Sequence, residues 1–191
     1  MRIEKDIWQR VHNSDQEAYA KVYRYYYPRF YNYGKKFTSD VPLVEDATQE
    51  TLMDIWDKRE KLPAIEFPTT YFYTSFRYIL FGKLKLQRRF VVGDITPEEP
   101  EFSIDHFIIR SESEAALRNQ LKNALSTLTS RQREVIFLRF YEGLSYEEVA
   151  AILSITTKAT YKIMARALLR LKGNIVFSSG FFSLFQLLFP K

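Results

Sequence analysis

No cysteine occurs in the 191 residues. That excludes a disulfide framework, a thiolate metal site and a thiol nucleophile, and it suits a reducing cytoplasm. Histidine is almost as scarce. His12 and His106 stand far apart, neither with a carboxylate or second ligand at helical spacing, so each is expected to be structural or superficial. The six glycines are scattered, and no phosphate-cradling loop can be built from them. With no acid, base and nucleophile grouped together, the chain reads as non-enzymatic. No cofactor, metal or small-molecule substrate is expected. Residues Met1 to Arg10 are charged throughout, where a secretion signal would carry an apolar run. Long apolar runs are missing as well, save for "FFSLFQLLF" (181–189) in a tail, 173–191, whose only charge after Gly173 is Lys191. A membrane span needs roughly 20 apolar residues, so this tail is expected to be exposed or to dock. Three fates are open for it: packing back over Leu169 and the helix Val135–Phe140, docking on a partner, or recognition by proteolysis.

What the chain does have is helical periodicity, and no alternating strand pattern of convincing length. Hydrophobic residues make up 46% and charged ones 27%, which is globular, and the formal charge of +5 leans weakly toward polyanionic partners. Charge also divides the chain. Between Asp94 and Glu114 seven acids face the single base Arg110, with Pro97 and Pro100 among them. This reads as an acidic linker. The expectation is all-α: two small helical domains, 1–93 and 114–172, joined by a linker over 94–113, the second domain holding a helix-turn-helix.

In the first domain "EAYAKVYRYYYPRFYNYGKKF" (17–37) repeats aromatic residues at helical steps, more simply a core stripe than a base-stacking platform. Pro28, Pro42, Pro63 and Pro68 are expected at element boundaries, Pro42 in the first turn of a helix after Asp40. "PLVEDATQETLMDIWDKREKL" (42–62) puts Val44, Ala47, Thr48, Thr51, Leu52, Ile55 and Trp56 on one side of a helix and Glu45, Asp46, Gln49, Glu50, Asp54 and Asp57 around the rest. Such acids repel phosphate; the face is either solvated or a dock for a basic partner. "TTYFYTSFRYILFGKLKLQRR" (69–89) interleaves aromatic and basic residues with no acid. It suits a surface that follows a backbone and stacks unpaired bases, or a buried aromatic helix with a cationic tip.

In the second domain, Ser145 to Glu148 is a capping box, followed by Val149, Ile152 and Leu153 at helical spacing. A short break, Ser154 to Thr156, leads to a helix with Thr160, Ile163, Met164, Ala167, Leu168 and Leu171 inside and Thr157, Lys158, Tyr161, Lys162 and Arg166 outside. Major-groove reading requires this arrangement; an ordinary helical hairpin with a solvated basic face also satisfies it.

In this order and separation, "EDATQETLMDIW" and "SRQREVIFLRFYEGLSYEEVAAIL" resemble the two-domain extracytoplasmic-function sigma factors of bacterial RNA polymerase, over roughly residues 15 to 172. The resemblance implies a cytoplasmic initiation factor whose partners are core RNA polymerase, promoter DNA and an anti-sigma factor. It implies polymerase docking through Asp46, Gln49, Glu50, Asp54 and Trp56. Melting and reading of the minus-ten element would fall to Tyr71, Tyr73, Arg77, Tyr78, Lys83, Lys85, Arg88 and Arg89. The minus-thirty-five element would be read by Thr157, Lys158, Tyr161, Lys162 and Arg166, with Arg131 and Arg133 toward phosphate. A stand-alone helix-turn-helix regulator is the alternative. The chain departs from the family at Ser154, where Gly is common, at Tyr161, where a polar or basic residue is usual, and at Gly82, expected to interrupt the melting helix.

Overall fold

The computed structural model describes residues 5–62, 68–92, 102–103 and 123–174. The chain divides into two compact units, Met1–Pro100 and Glu101–Lys191. Every regular element among the described residues is helical.

The first unit holds α1 (Lys5–His12), α2 (Gln16–Gly34), α3 (Val41–Asp57) and α4 (Pro68–Val92). Asp15 starts α2: its Oδ1 accepts the backbone N–H groups of Glu17 and Ala18 at 2.9 and 3.1 Å, satisfying donors the helix cannot. Asp40 caps α3 in the same way, accepting Leu43 N–H at 3.0 Å, with Pro42 in the first turn as expected. Its other oxygen accepts Gln87 Nε2 of α4 at 2.7 Å. Pro68 opens α4, where its missing N–H removes no helical bond.

One proline and one glycine behave differently from expectation. Pro28 lies inside α2, not at a boundary. An interior proline costs about 3 kcal/mol locally, but Val22, Tyr26, Phe30 and Tyr33, all fully buried, hold the helix on either side of it. Gly82 does not interrupt α4, which runs through it to Val92.

The core of this unit is aromatic. Phe30 stacks on Phe76 at 4.7 Å between ring centres, Tyr26 meets Phe72 edge-on at 4.9 Å, and Trp8 meets Phe72 at 5.3 Å. The buried phenols find partners: Tyr26 Oη and Thr69 Oγ1 lie 2.8 Å apart, and Tyr33 Oη accepts from Arg77 at 3.2 Å. A Cβ on Gly34 would come within 2.7 Å of Val44 and 3.1 Å of Phe76, so only glycine lets α2 pass this close to α3 and α4.

The second unit holds a helical turn at 123–126, α5 (Ser130–Ile136), a π-helical turn (Phe137–Tyr141), α6 (Tyr146–Ile152) and α7 (Thr157–Asn174). The expected capping box closes: Glu148 N–H donates to Ser145 Oγ at 3.2 Å and Ser145 N–H to Glu148 Oε2 at 2.7 Å. A second one, Thr129 with Gln132, starts α5. Val135, Phe137, Leu138, Val149, Met164 and Ala167 form the core. Phe102, in the stretch read as linker, is fully buried against Phe137 at 5.6 Å, and its N–H donates to Ser130 Oγ at 2.6 Å. No helical periodicity runs through this acidic, proline-containing stretch, so the sequence does not mark Phe102 as a core residue. His106 and the apolar tail lie outside the described residues.

Candidate nucleic-acid and partner interfaces

The acidic face belongs to α3. Val44, Ala47, Thr48, Thr51, Leu52 and Ile55 are buried as the spacing predicted, and Thr48 and Thr51 donate back to the carbonyls four residues earlier at 2.8 and 2.7 Å. The opposite side therefore presents Asp46, Gln49 and Glu50 to solvent, with Asp54 half-exposed. Asp46 and Glu50 share one counter-ion, Lys83 Nζ of α4, at 2.5 and 2.6 Å. Hydrogen bonds to Asp46 and then Glu50 raise the Lys83 ammonium above its ordinary range. Asp54 pairs with Lys58. Trp56 is half-buried, its ring 4.7 Å from Tyr19 and 4.1 Å below the Arg59 guanidinium. Arg59 also donates to Ser14 Oγ at 3.0 Å and Trp56 O at 2.7 Å, tying the end of α3 to the corner before α2. Burial pushes the Tyr19 phenol up to about 12, with the charges of Tyr23 and Asp57 adding to it.

The residues expected at the minus-ten element divide between two faces of α4. Tyr73 is buried at 1% exposure and packs edge-on against Phe30 at 5.3 Å. Arg77 is buried too, donating to Tyr33 and lying 4.3 Å from the Phe81 ring. Both belong to the core, because the aromatic stripe they follow is what holds α4 on α2. Lys83 faces the acids of α3. Tyr78 is 82% exposed, with Lys85 and Arg88 exposed farther along and Tyr71 half-buried. The side chain of Arg89 lies outside the described residues. Between Tyr78 and Lys85, nothing stands within 4 Å of where a Cβ of Gly82 would be. One side of this helix is thus a buried aromatic face and the other an exposed strip of aromatic and basic residues.

In the second unit α7 carries no acid and exposes Lys158, Tyr161, Lys162 and Arg166, with Thr157 half-exposed. Thr156 caps it, accepting Ala159 N–H at 3.1 Å. Thr160, Met164, Ala167 and Leu171 face inward as expected; Leu168 does not, at 42% exposure, and Leu169 is 70% exposed. The corner before α7 has Ser154 at φ +52°, with Ile155 N–H donating to Ala150 O at 2.9 Å and Ser154 N–H to Ala151 O at 3.2 Å. That is a Schellman end whose left-handed residue is usually glycine.

Two arginines expected to reach toward phosphate are structural. Arg133 is 5% exposed and donates to Phe102 O at 2.7 Å and Leu128 O at 2.8 Å. Arg131 donates to Leu153 O at 2.7 Å, at the carbonyl end of α6 where a cation is favoured. Sequence alone could not separate them from surface cations, since Arg133 reaches a carbonyl 31 residues away and Arg131 one 22 residues away. Among the described residues no group of three His, Cys, Asp or Glu could hold a metal ion, and no helix is long and apolar enough to cross a membrane.

One helical unit thus carries an acidic helix face and an acid-free exposed strip, and the other a capped helix-turn-helix. Residues 22–83 match the model of sigma-70 region 2, and residues 124–173 match that of sigma-70 region 4. Together these are more than half of the chain, which belongs to the sigma-70 family, in its extracytoplasmic-function group. It is a sigma factor that directs transcription initiation at promoters. A stand-alone regulator is set aside by region 2, for which it would have no use. The chain is 23% identical to RNA polymerase sigma factor YlaC of Bacillus subtilis over 165 residues, 84% of this chain and 93% of that one. It is 27% identical to ECF RNA polymerase sigma factor SigL of Mycobacterium tuberculosis over 152 residues, 72% of this chain and 79% of that one. The fold is shared with the sigma factor RpoE of Bartonella quintana, solved in complex with the anti-sigma factor NepR: TM-score 0.57 at 22% identity, covering 81% of this chain and 94% of that one.

Proposed function

We propose that α3 docks the chain on core RNA polymerase through Asp46, Gln49, Glu50 and Asp54, with Trp56 as its half-buried anchor. The observation that carries this is the acidic face itself: it repels nucleic acid, yet it stands on the same unit as an exposed aromatic and basic strip. On that strip Tyr78, Lys85 and Arg88, with Tyr71 beside them, meet the separated strand of the minus-ten element, an aromatic ring taking a base and the cations the backbone. On α7, Thr157, Lys158, Tyr161, Lys162 and Arg166 enter the major groove of the minus-thirty-five element. Lys83 is assigned to the acidic face instead of DNA. The protein acts in the cytoplasm without catalysing a reaction itself, and an anti-sigma partner holds it inactive, as NepR is bound by RpoE in the solved complex.

Run-off transcription with purified core polymerase on a pool of genomic promoters tests the whole reading. For docking, the Asp46→Asn, Glu50→Gln double variant should lower core affinity by about tenfold, equivalent to 1.4 kcal/mol, with its circular dichroism unchanged. Neutral replacements are needed because lysines there would crowd Lys83. Core binding at full strength would show that the acids are only a solvated face.

A further inference from the structure

The fifth residue of α7 is an exposed tyrosine in a row of cations, and its ring is held. Tyr161 is 50% exposed and stacks on Tyr146 of α6, with ring centres 4.1 Å apart and planes 28° from parallel. Tyr146 is fixed in turn. It directly follows Ser145, the cap of α6, and the Arg139 guanidinium lies 5.1 Å from its ring centre. Arg139 is anchored by donating to Leu144 O at 2.9 Å. A row of three side chains from three successive elements thus ends at the exposed tyrosine between Lys158 and Lys162.

An aromatic ring fixed in this way offers a groove an apolar surface of defined position, which neither neighbouring lysine can. The one apolar group displayed by base pairs in the major groove is the thymine methyl. We propose that Tyr161 reads a thymine methyl in the minus-thirty-five duplex and that Tyr146 is its positioning residue. Stacking holds the ring in one rotamer before DNA arrives, so no side-chain freedom is lost on contact. The inference rests on the placement of α7 in the minus-thirty-five groove.

The test uses holoenzyme on promoters in which each thymine of the minus-thirty-five element is replaced in turn by deoxyuridine, which removes only the methyl. At one position the wild type should lose about threefold to fivefold in promoter occupancy, the size expected for one methyl. Tyr161→Ala should be indifferent to that replacement, Tyr146→Ala should lose most of the discrimination, and Tyr146→Phe should keep it. A minus-thirty-five preference with no position sensitive to the methyl overturns this inference alone, and it needs no variant protein. Full discrimination by folded Tyr146→Ala overturns the positioning role. A wild type with no minus-thirty-five preference overturns the proposed function and this inference together.

Discussion

Ser154 holds a left-handed backbone at the corner of the helix-turn-helix, where a Cβ meets the carbonyl beside it. For a non-glycine residue this costs about 1–2 kcal/mol, part of which glycine would return as lost chain entropy. Ser154→Gly should therefore stabilise the second unit by about 0.5–1 kcal/mol, read as a rise in melting temperature with promoter choice unchanged. Ser14, at φ +64°, is a poorer site for the same change, because its hydroxyl bonds Arg59 and Glu60. A second residue to test is Lys36, 3% exposed, whose ammonium burial pushes down to about 8. The unfolded chain then binds more protons than the folded one between pH 8 and the ordinary 10.5, so stability rises with pH across that window. Lys36→Met should stabilise the first unit most below pH 8, and its advantage over wild type should vanish by pH 10.5. A pH-independent difference in denaturant midpoints would refute the burial cost. The strained serine was visible in the sequence as a departure from glycine. Lys36 was not, because a lysine near a helix end gives no sign of being enclosed.

At the scale of elements, α3 and α7 were legible because each is amphipathic with one sign of charge on its outer face. Helix α1 was not: in a charged segment only Ile7, Trp8 and Val11 are buried among its described side chains. The mixture in α4 was legible only as an ambiguity, since aromatic and basic residues recur on both of its faces and packing alone decides which are enclosed. Gly82 lies on the open face of that helix with no neighbour for a Cβ. Gly82→Ala should then raise stability by about 0.8–1 kcal/mol, the propensity difference in a helix interior. If the open face also receives a separated DNA strand between Tyr78 and Lys85, the same variant should form open complexes more slowly despite its greater stability, as measured by permanganate reactivity of unpaired thymines. Faster or unchanged opening would remove the glycine from the DNA-facing surface.

For the whole molecule, the two surfaces proposed for DNA belong to different units, so the affinity each adds to the other is greatest when their spacing is fixed to that of the two promoter elements. The isolated protein should bind duplex promoter DNA weakly and lose that binding readily as salt rises. Tight, salt-resistant binding by the free protein in an electrophoretic shift would contradict this. The division into two helical units was legible from charge and periodicity. Arg133 and Phe102 were the exceptions: a guanidinium and a carbonyl that meet 31 residues apart leave no local pattern.

Both tryptophans of the chain, Trp8 and Trp56, stand in the first unit, one enclosed by Phe72 and the other half-buried beside Arg59. Tryptophan emission, excited at wavelengths that tyrosine does not absorb, thus originates in the first unit alone. On unfolding, the shift of the spectrum to longer wavelength reports the opening of the aromatic core alone, whereas far-ultraviolet ellipticity counts helices of both units. The two optical signals separate the melting of one unit from the other without cutting the chain or labelling it.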